Sequence, residues 1–158
     1  MTPKLLISVE NGDWPPAEEL EKICETAVEA AIKAARLRMA DEAELSLLFT
    51  GDEAIRAINR EWRGKDTATN VLSFPGTDIA PGEPGGVILG DIVIAFETVT
   101  SEAELEGKPF RHHLTHLIVH GFLHLFGYDH MNDDEARIME GLETRILHGL
   151  AIPDPYNT

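Results

Sequence analysis

His120 and His124 stand four residues apart, and His130 follows six residues later with Gly127 in between. Side chains four apart on a helix share one face, about 5–6 Å apart at Cβ, so two imidazoles can converge on one ion at about 2.0–2.1 Å. Gly127 predicts a helix stop with a positive φ, a reversal that carries His130 back to the same ion. Three neutral nitrogens leave the fourth tetrahedral position open for water. That is the ligand set of a catalytic rather than a structural zinc, with one Zn2+ expected per chain.

A lone histidine is more often a satisfied polar residue than a ligand. The whole pattern is more specific, because H-x-x-x-H-x-x-G-x-x-H is the ligand spacing of the metzincins. His116 is also four residues from His120, but only His124 shares the helix end with the turn. His113 and His116 are therefore read as residues behind the ligands or at the surface. Gly121 stands where metzincin peptidases carry the glutamate that serves as general base. A proton must then go to Asp129 beside the third ligand, to the substrate, or to a hydroxide formed because zinc acidifies water. Asp129 is the candidate catalytic carboxylate, and its alternative role is to orient a ligand or cap the turn.

Charge narrows the partners. The chain holds 13 basic and 28 acidic residues, a formal net charge of -15, which repels polyanions and contradicts a generic nucleic-acid coat. Arg56, Arg60, Arg63 and Lys65 nevertheless place four basic residues within ten positions. They are the candidate phosphate-binding patch. DNA and membrane partners are not expected.

These residues need a scaffold, and 158 residues with 43% hydrophobic and 26% charged content suit one folded domain over 1–158. Strands are expected at 4–10, 44–49, 70–74 and 87–96, the third stopped by Pro75. Leu20, Ile23, Cys24, Ala27, Val28 and Ala31 recur at helical spacing within 16–38 and place Cys24 in the core. Thr50 and Glu53 read as a capping box for a helix stopped by Gly64, with Ile55, Ile58 and Trp62 on one face and the arginines on another. Residues 77–86 read as a loop, 98–106 as a short helix, and 109–126 as the histidine helix. Asp133 or Asp134 is expected to cap a last helix with Ile138, Leu142 and Ile146 as its apolar face. The result is an α+β class, a mixed four-stranded sheet with about five helices. A single cysteine and no signal-peptide core or membrane-spanning run point to a reducing cytoplasm.

The chain resembles the YbeY-type endoribonucleases, the bacterial rRNA maturation factors. The likeness rests on His120-Gly-Phe-Leu-His124-Leu-Phe-Gly-Tyr-Asp-His130, on Trp62-Arg-Gly-Lys-Asp66 leading into Thr69-Asn-Val-Leu-Ser-Phe-Pro75, and on Leu89-Gly-Asp-Ile92. It spans the middle and C-terminal two thirds. The resemblance implies a metzincin-like domain, zinc on the three histidines, and cleavage of single-stranded RNA in maturation of the 16S rRNA 3′ end and in ribosome quality control. Ribosomal small-subunit or assembly-factor partners follow from it, as does an essential Arg63. Chemistry gives Arg63 a reason, since a guanidinium can hold two phosphate oxygens and stabilise charge developing at phosphorus. Ser73 and Asp91 receive no role. Two other functions remain open: a zinc peptidase or amidase, disfavoured by Gly121, and a ribosome-assembly binding protein with structural zinc, disfavoured by the open coordination position.

Overall fold

The computed structural model describes residues 2–156, so Met1, Asn157 and Thr158 of the expected unit lie outside the described residues. Among these there are four strands and five helices: β1 (Lys4–Val9), α1 (Ala17–Ala35), β2 (Glu44–Thr50), α2 (Asp52–Arg63), β3 (Val71–Pro75), β4 (Ile88–Ala95), α3 (Phe96–Glu106), α4 (Phe110–Leu125) and α5 (Asp133–Gly149). The strands form one sheet in the order β1-β2-β4-β3, in which β1, β2 and β4 are parallel and the edge strand β3 is antiparallel. This is the expected mixed α+β arrangement.

Alternation along the strands decides which helix each face meets. Leu45, Leu47, Phe49, Ile92 and Ile94 join the main core with α1, α4 and α5. Leu72, Val93 and Ala95 point the other way and pack with Ile55 of α2 in a smaller cluster. Cys24 sits within the main core, as its helical register implies, and burial pushes its thiol up to about 12. Helix α4 is the most enclosed element: it buries residues from His113 to Leu125 on nearly every side, so it has almost no polar face.

Several expectations about helix ends are corrected. No Thr50–Glu53 capping box forms: Gly51 is the N-cap of α2, and Thr50 Oγ1 donates instead to Glu10 Oε1 at 3.2 Å. The orphan Asp52 N–H is taken by Glu97 Oε1 at 3.1 Å, while Asp52 Oδ1 accepts from Thr98 N and Oγ1 at 3.2 and 2.7 Å. Two helix starts thus cap each other across the sheet end, a long-range pairing that local spacing cannot show. Helix α5 is capped by Asn132, whose Oδ1 accepts from Glu135 N at 2.9 Å, rather than by Asp133 or Asp134. Its buried face is Met139, Leu142, Glu143, Ile146 and Leu147, and Ile138 is 59% exposed. Trp62 is likewise 69% exposed despite sharing the register of Ile55: it meets Phe74 edge-on and borders an open groove over the strands. Among the described residues no helix is long and apolar enough to cross a membrane.

Candidate metal centre and cleft

The last two turns of α4 present His120 and His124 on one face, with ring centroids 4.6 Å apart. Gly127 then adopts φ +92°, and a Cβ there would meet Ile79 O at 2.2 Å, so only glycine fits this reversal. The turn is closed by Gly127 N–H donating to His124 O at 3.1 Å and Tyr128 N–H to Leu123 O at 3.2 Å. It brings the His130 ring 5.1 Å from that of His124 and 5.6 Å from that of His120. One ligand-capable atom from each of the three lies within 4.8 Å of the others.

The donor set suits a metal ion. His120 Nδ1 faces the Glu143 carboxylate at 3.1 Å, which keeps its proton there and leaves the Nε2 lone pair facing His124 Nε2 at 3.0 Å. Nitrogens sharing a tetrahedral zinc are separated by about 3.3 Å when each bond is about 2.0–2.1 Å. Burial, and then the neighbouring His120, lower His124 to about 4, so near neutrality it too offers a lone pair. The 3.0 Å approach of the two Nε2 atoms is thus close to the spacing of two nitrogens on one metal ion, and a neutral His124 can turn its lone pair to that point.

Behind the three histidines lies a largely buried polar network. His116 Nε2 and Tyr156 OH reach Glu143 Oε1 at 2.6 and 2.9 Å, and His113 Nε2 reaches Glu102 Oε1 at 2.8 Å. His113 and His116 are therefore buried, and the surface alternative is excluded for both. Burial alone would raise the Glu143 carboxyl, but hydrogen bonds from His116 and His120 outweigh it and hold it down at about 2. Tyr156 is pushed well above the usual phenol range by burial and by the Glu143 charge, so it remains a donor. Neither Glu143 nor Tyr156 was singled out from sequence. The available signal was a carboxylate beside Leu142 on the apolar stripe of α5.

A cleft of about 810 Å³ runs from the histidines past β3 to the end of α2, and Arg63, Lys65, Asn70, Ser73, His120, His124, Asp129 and His130 all line it. Arg63 donates from Nη2 to Ser73 O at 3.0 Å, and its Cζ lies 5.6 Å from the Phe74 ring centroid. Arg56 and Arg60 do not reach the cleft. Asp66 takes Arg56 through both oxygens at 2.8 and 3.2 Å and lies 3.7 Å from Arg60, which divides the expected stripe in two. Asp129 Oδ1 accepts the His130 backbone N–H at 2.8 Å, so this carboxylate shapes the turn as well as lining the cleft. At Gly121 a Cβ would come within 3.0 Å of Ser73 Oγ and 3.2 Å of Ile92 Cγ2. Any side chain there would press on the Ser73 hydroxyl and the Ile92 methyl.

The sequence profile described as Endoribonuclease YbeY matches residues 7–151. A curated Endoribonuclease YbeY from Rhizobium meliloti (strain 1021) is 60% identical over 155 residues, covering 95% of this chain and 92% of that protein. One from Sinorhizobium medicae (strain WSM419) is 57% identical with the same coverage. The solution structure of TM1509 from Thermotoga maritima superposes with a TM-score of 0.60 at 22% identity, over 98% of this chain and 99% of that one, a likeness of fold.

Proposed function

This chain belongs to the YbeY endoribonuclease family, and we propose that it cuts single-stranded RNA with one zinc ion held by His120, His124 and His130. The observation that carries the reading is that Arg63 and the three histidines line the same cleft. Zinc bound there supplies Lewis-acid chemistry, polarising a phosphoryl oxygen and acidifying water.

The chain's own residues supply the rest. Arg63 spends one N–H on Ser73 O and leans on Phe74, which fixes the guanidinium while leaving its other donors for a phosphate. Lys65 adds a cation to the same wall. Asp129 keeps one oxygen on the turn and has a second with which to take a proton. Arg56 and Arg60, tied to Asp66 outside the cleft, contribute a smaller share of RNA binding. With a net charge of -15, the protein needs a partner to present the RNA. A small ribosomal subunit carrying unprocessed 16S rRNA in the cytoplasm suits that need, and residues 1–158 act as one domain. The peptidase reading lacks a glutamate at 121, where a side chain would press on Ser73 and Ile92.

The test is one assay with zinc-loaded and chelator-treated protein on single-stranded RNA, duplex RNA and peptides. Zinc-dependent cleavage of single-stranded RNA alone is expected. Peptide hydrolysis without RNA cleavage, or RNA cleavage unchanged when all three histidines are replaced, overturns the proposal.

A further inference from the structure

A single oxygen, Glu143 Oε1, receives three donors: His116 Nε2 at 2.6 Å, Tyr156 OH at 2.9 Å and His120 Nδ1 at 3.1 Å. The Glu143 side chain is 1% exposed, and its Oε2 is buried without a hydrogen-bond partner among the described residues. A buried carboxylate is stable only with donors, so these three bonds are what orient its charge. Two of the donors come from α4 and move with the histidine helix. The third comes from the segment that follows α5.

That segment is built to deliver the hydroxyl. Ile152 N–H donates to Leu147 O at 2.9 Å, folding the chain back on the end of α5. Asp154 Oδ1 then accepts Thr144 Oγ1 at 3.2 Å and Tyr156 N–H at 2.8 Å, which pins the tyrosine backbone beside α5. The Tyr156 ring meets His116 edge-on, with centroids 5.5 Å apart. Tyr156 remains 45% exposed, so removing its hydroxyl leaves the core closed. It also lies beyond residues 7–151, the span that the family profile matches.

We propose that Tyr156 is a positioning residue for the metal centre: by holding Glu143 it keeps His120 protonated at Nδ1 and free at Nε2, so the segment 150–156 sets how tightly the site holds zinc. The inference rests on the three-histidine zinc reading. Without the hydroxyl, water entering at the exposed Tyr156 position competes for Glu143, and the carboxylate no longer has a fixed direction from which to hold the His120 ring. Loss of such a supporting partner commonly weakens metal binding by about 10- to 100-fold.

The experiment compares the full chain with Tyr156→Phe, Asp154→Ala and Glu143→Gln. Zinc affinity is read by competition with a chromophoric chelator, the His120 tautomer in zinc-free protein by 15N NMR, and folding by thermal melting. Tyr156→Phe should weaken zinc by about tenfold and reduce the Nδ1–H form of His120 while the melting temperature of the zinc-free protein stays near that of the parent. Asp154→Ala should move both readouts the same way by less, and Glu143→Gln by more. Parent-like zinc affinity and tautomer in Tyr156→Phe overturn the inference, as does a loss of zinc that only tracks a fall in melting temperature. Should the parent chain bind no zinc, the three-histidine reading fails, and the tautomer comparison in zinc-free protein still decides the role of Tyr156.

Discussion

The end of α4 and the exposed face of α2 carry the same local pattern, two ligand-capable or phosphate-capable side chains four residues apart, and the fold uses them in opposite ways. His120 and His124 converge on each other because a glycine turn brings in His130 and a buried carboxylate fixes one ring from behind. Arg56 and Arg60 converge on Asp66, an acid from the following loop, and leave only Arg63 at the helix end to face the cleft. Spacing puts side chains on one face. What stands opposite that face decides whether they meet a ligand or one another.

The sharpest way to break this contrast is at the histidines. Parent protein is expected to carry about one zinc per chain by metal analysis, and His124→Ala to lose it together with RNA cleavage. Zinc retained at full stoichiometry after replacement of His120, His124 and His130 would remove the centre altogether.

Next comes the division within α2. Arg63→Ala should slow cleavage by about 100- to 1000-fold, with Lys a poor substitute because it lacks the planar fork. Zinc content should not change, and stability should fall by no more than about 1 kcal/mol, the worth of the bond to Ser73 O. Arg60→Ala in the same assay should cleave within a few-fold of the parent, as expected of a charge already answered by Asp66. Equal losses at both arginines would restore a continuous stripe and contradict the division.

Acid separates the two regions by a different route. In zinc-free protein His124 titrates near 4 rather than 6.5, so between those values the unfolded chain binds the extra proton and stability falls as pH drops. Glu143, held near 2 instead of 4.5, extends the decline: its contribution is full above 4.5 and is lost as pH falls toward 2. Urea midpoints measured from pH 7 to 3 should therefore decrease steadily, with Glu143→Gln flattening the lower part. The arginines of α2 stay charged throughout this range, and their partner Asp66, lowered by its bond to Arg56, is exposed to solvent and adds only a small slope. A flat profile in zinc-free protein would mean that these groups are not held as their surroundings indicate.

The smallest effect concerns salt. RNA binding by the isolated protein should be weak and salt-sensitive, and Lys65→Ala should lower the logarithmic salt slope by roughly 0.7, the value for one lost phosphate contact on a single strand. Arg56→Ala should leave the slope nearly unchanged, since its guanidinium is already paired with Asp66. Filter binding across a salt series distinguishes the two.

By itself the sequence determined what depends on short range. Helical spacing placed Cys24 in the core, alternation and turn residues located the four strands, and His120, His124, Gly127 and His130 lie close enough along the chain for one helix end and one reversal to gather them. These features follow from backbone periodicity and from the conformational freedom of one glycine. Tertiary structure decided everything that needs a partner from far along the chain. Glu97 replaced Thr50 as the cap of α2, Asp66 claimed Arg56, and β3 filled the space beside Gly121. Glu143 met His120 across 23 positions and Tyr156 met His116 across 40, through packing of α5 and the segment after it on α4. A side chain's own spacing states where it can point; only the fold states what it finds there, and burial then turns an ordinary carboxylate into the group that orients a candidate metal ligand.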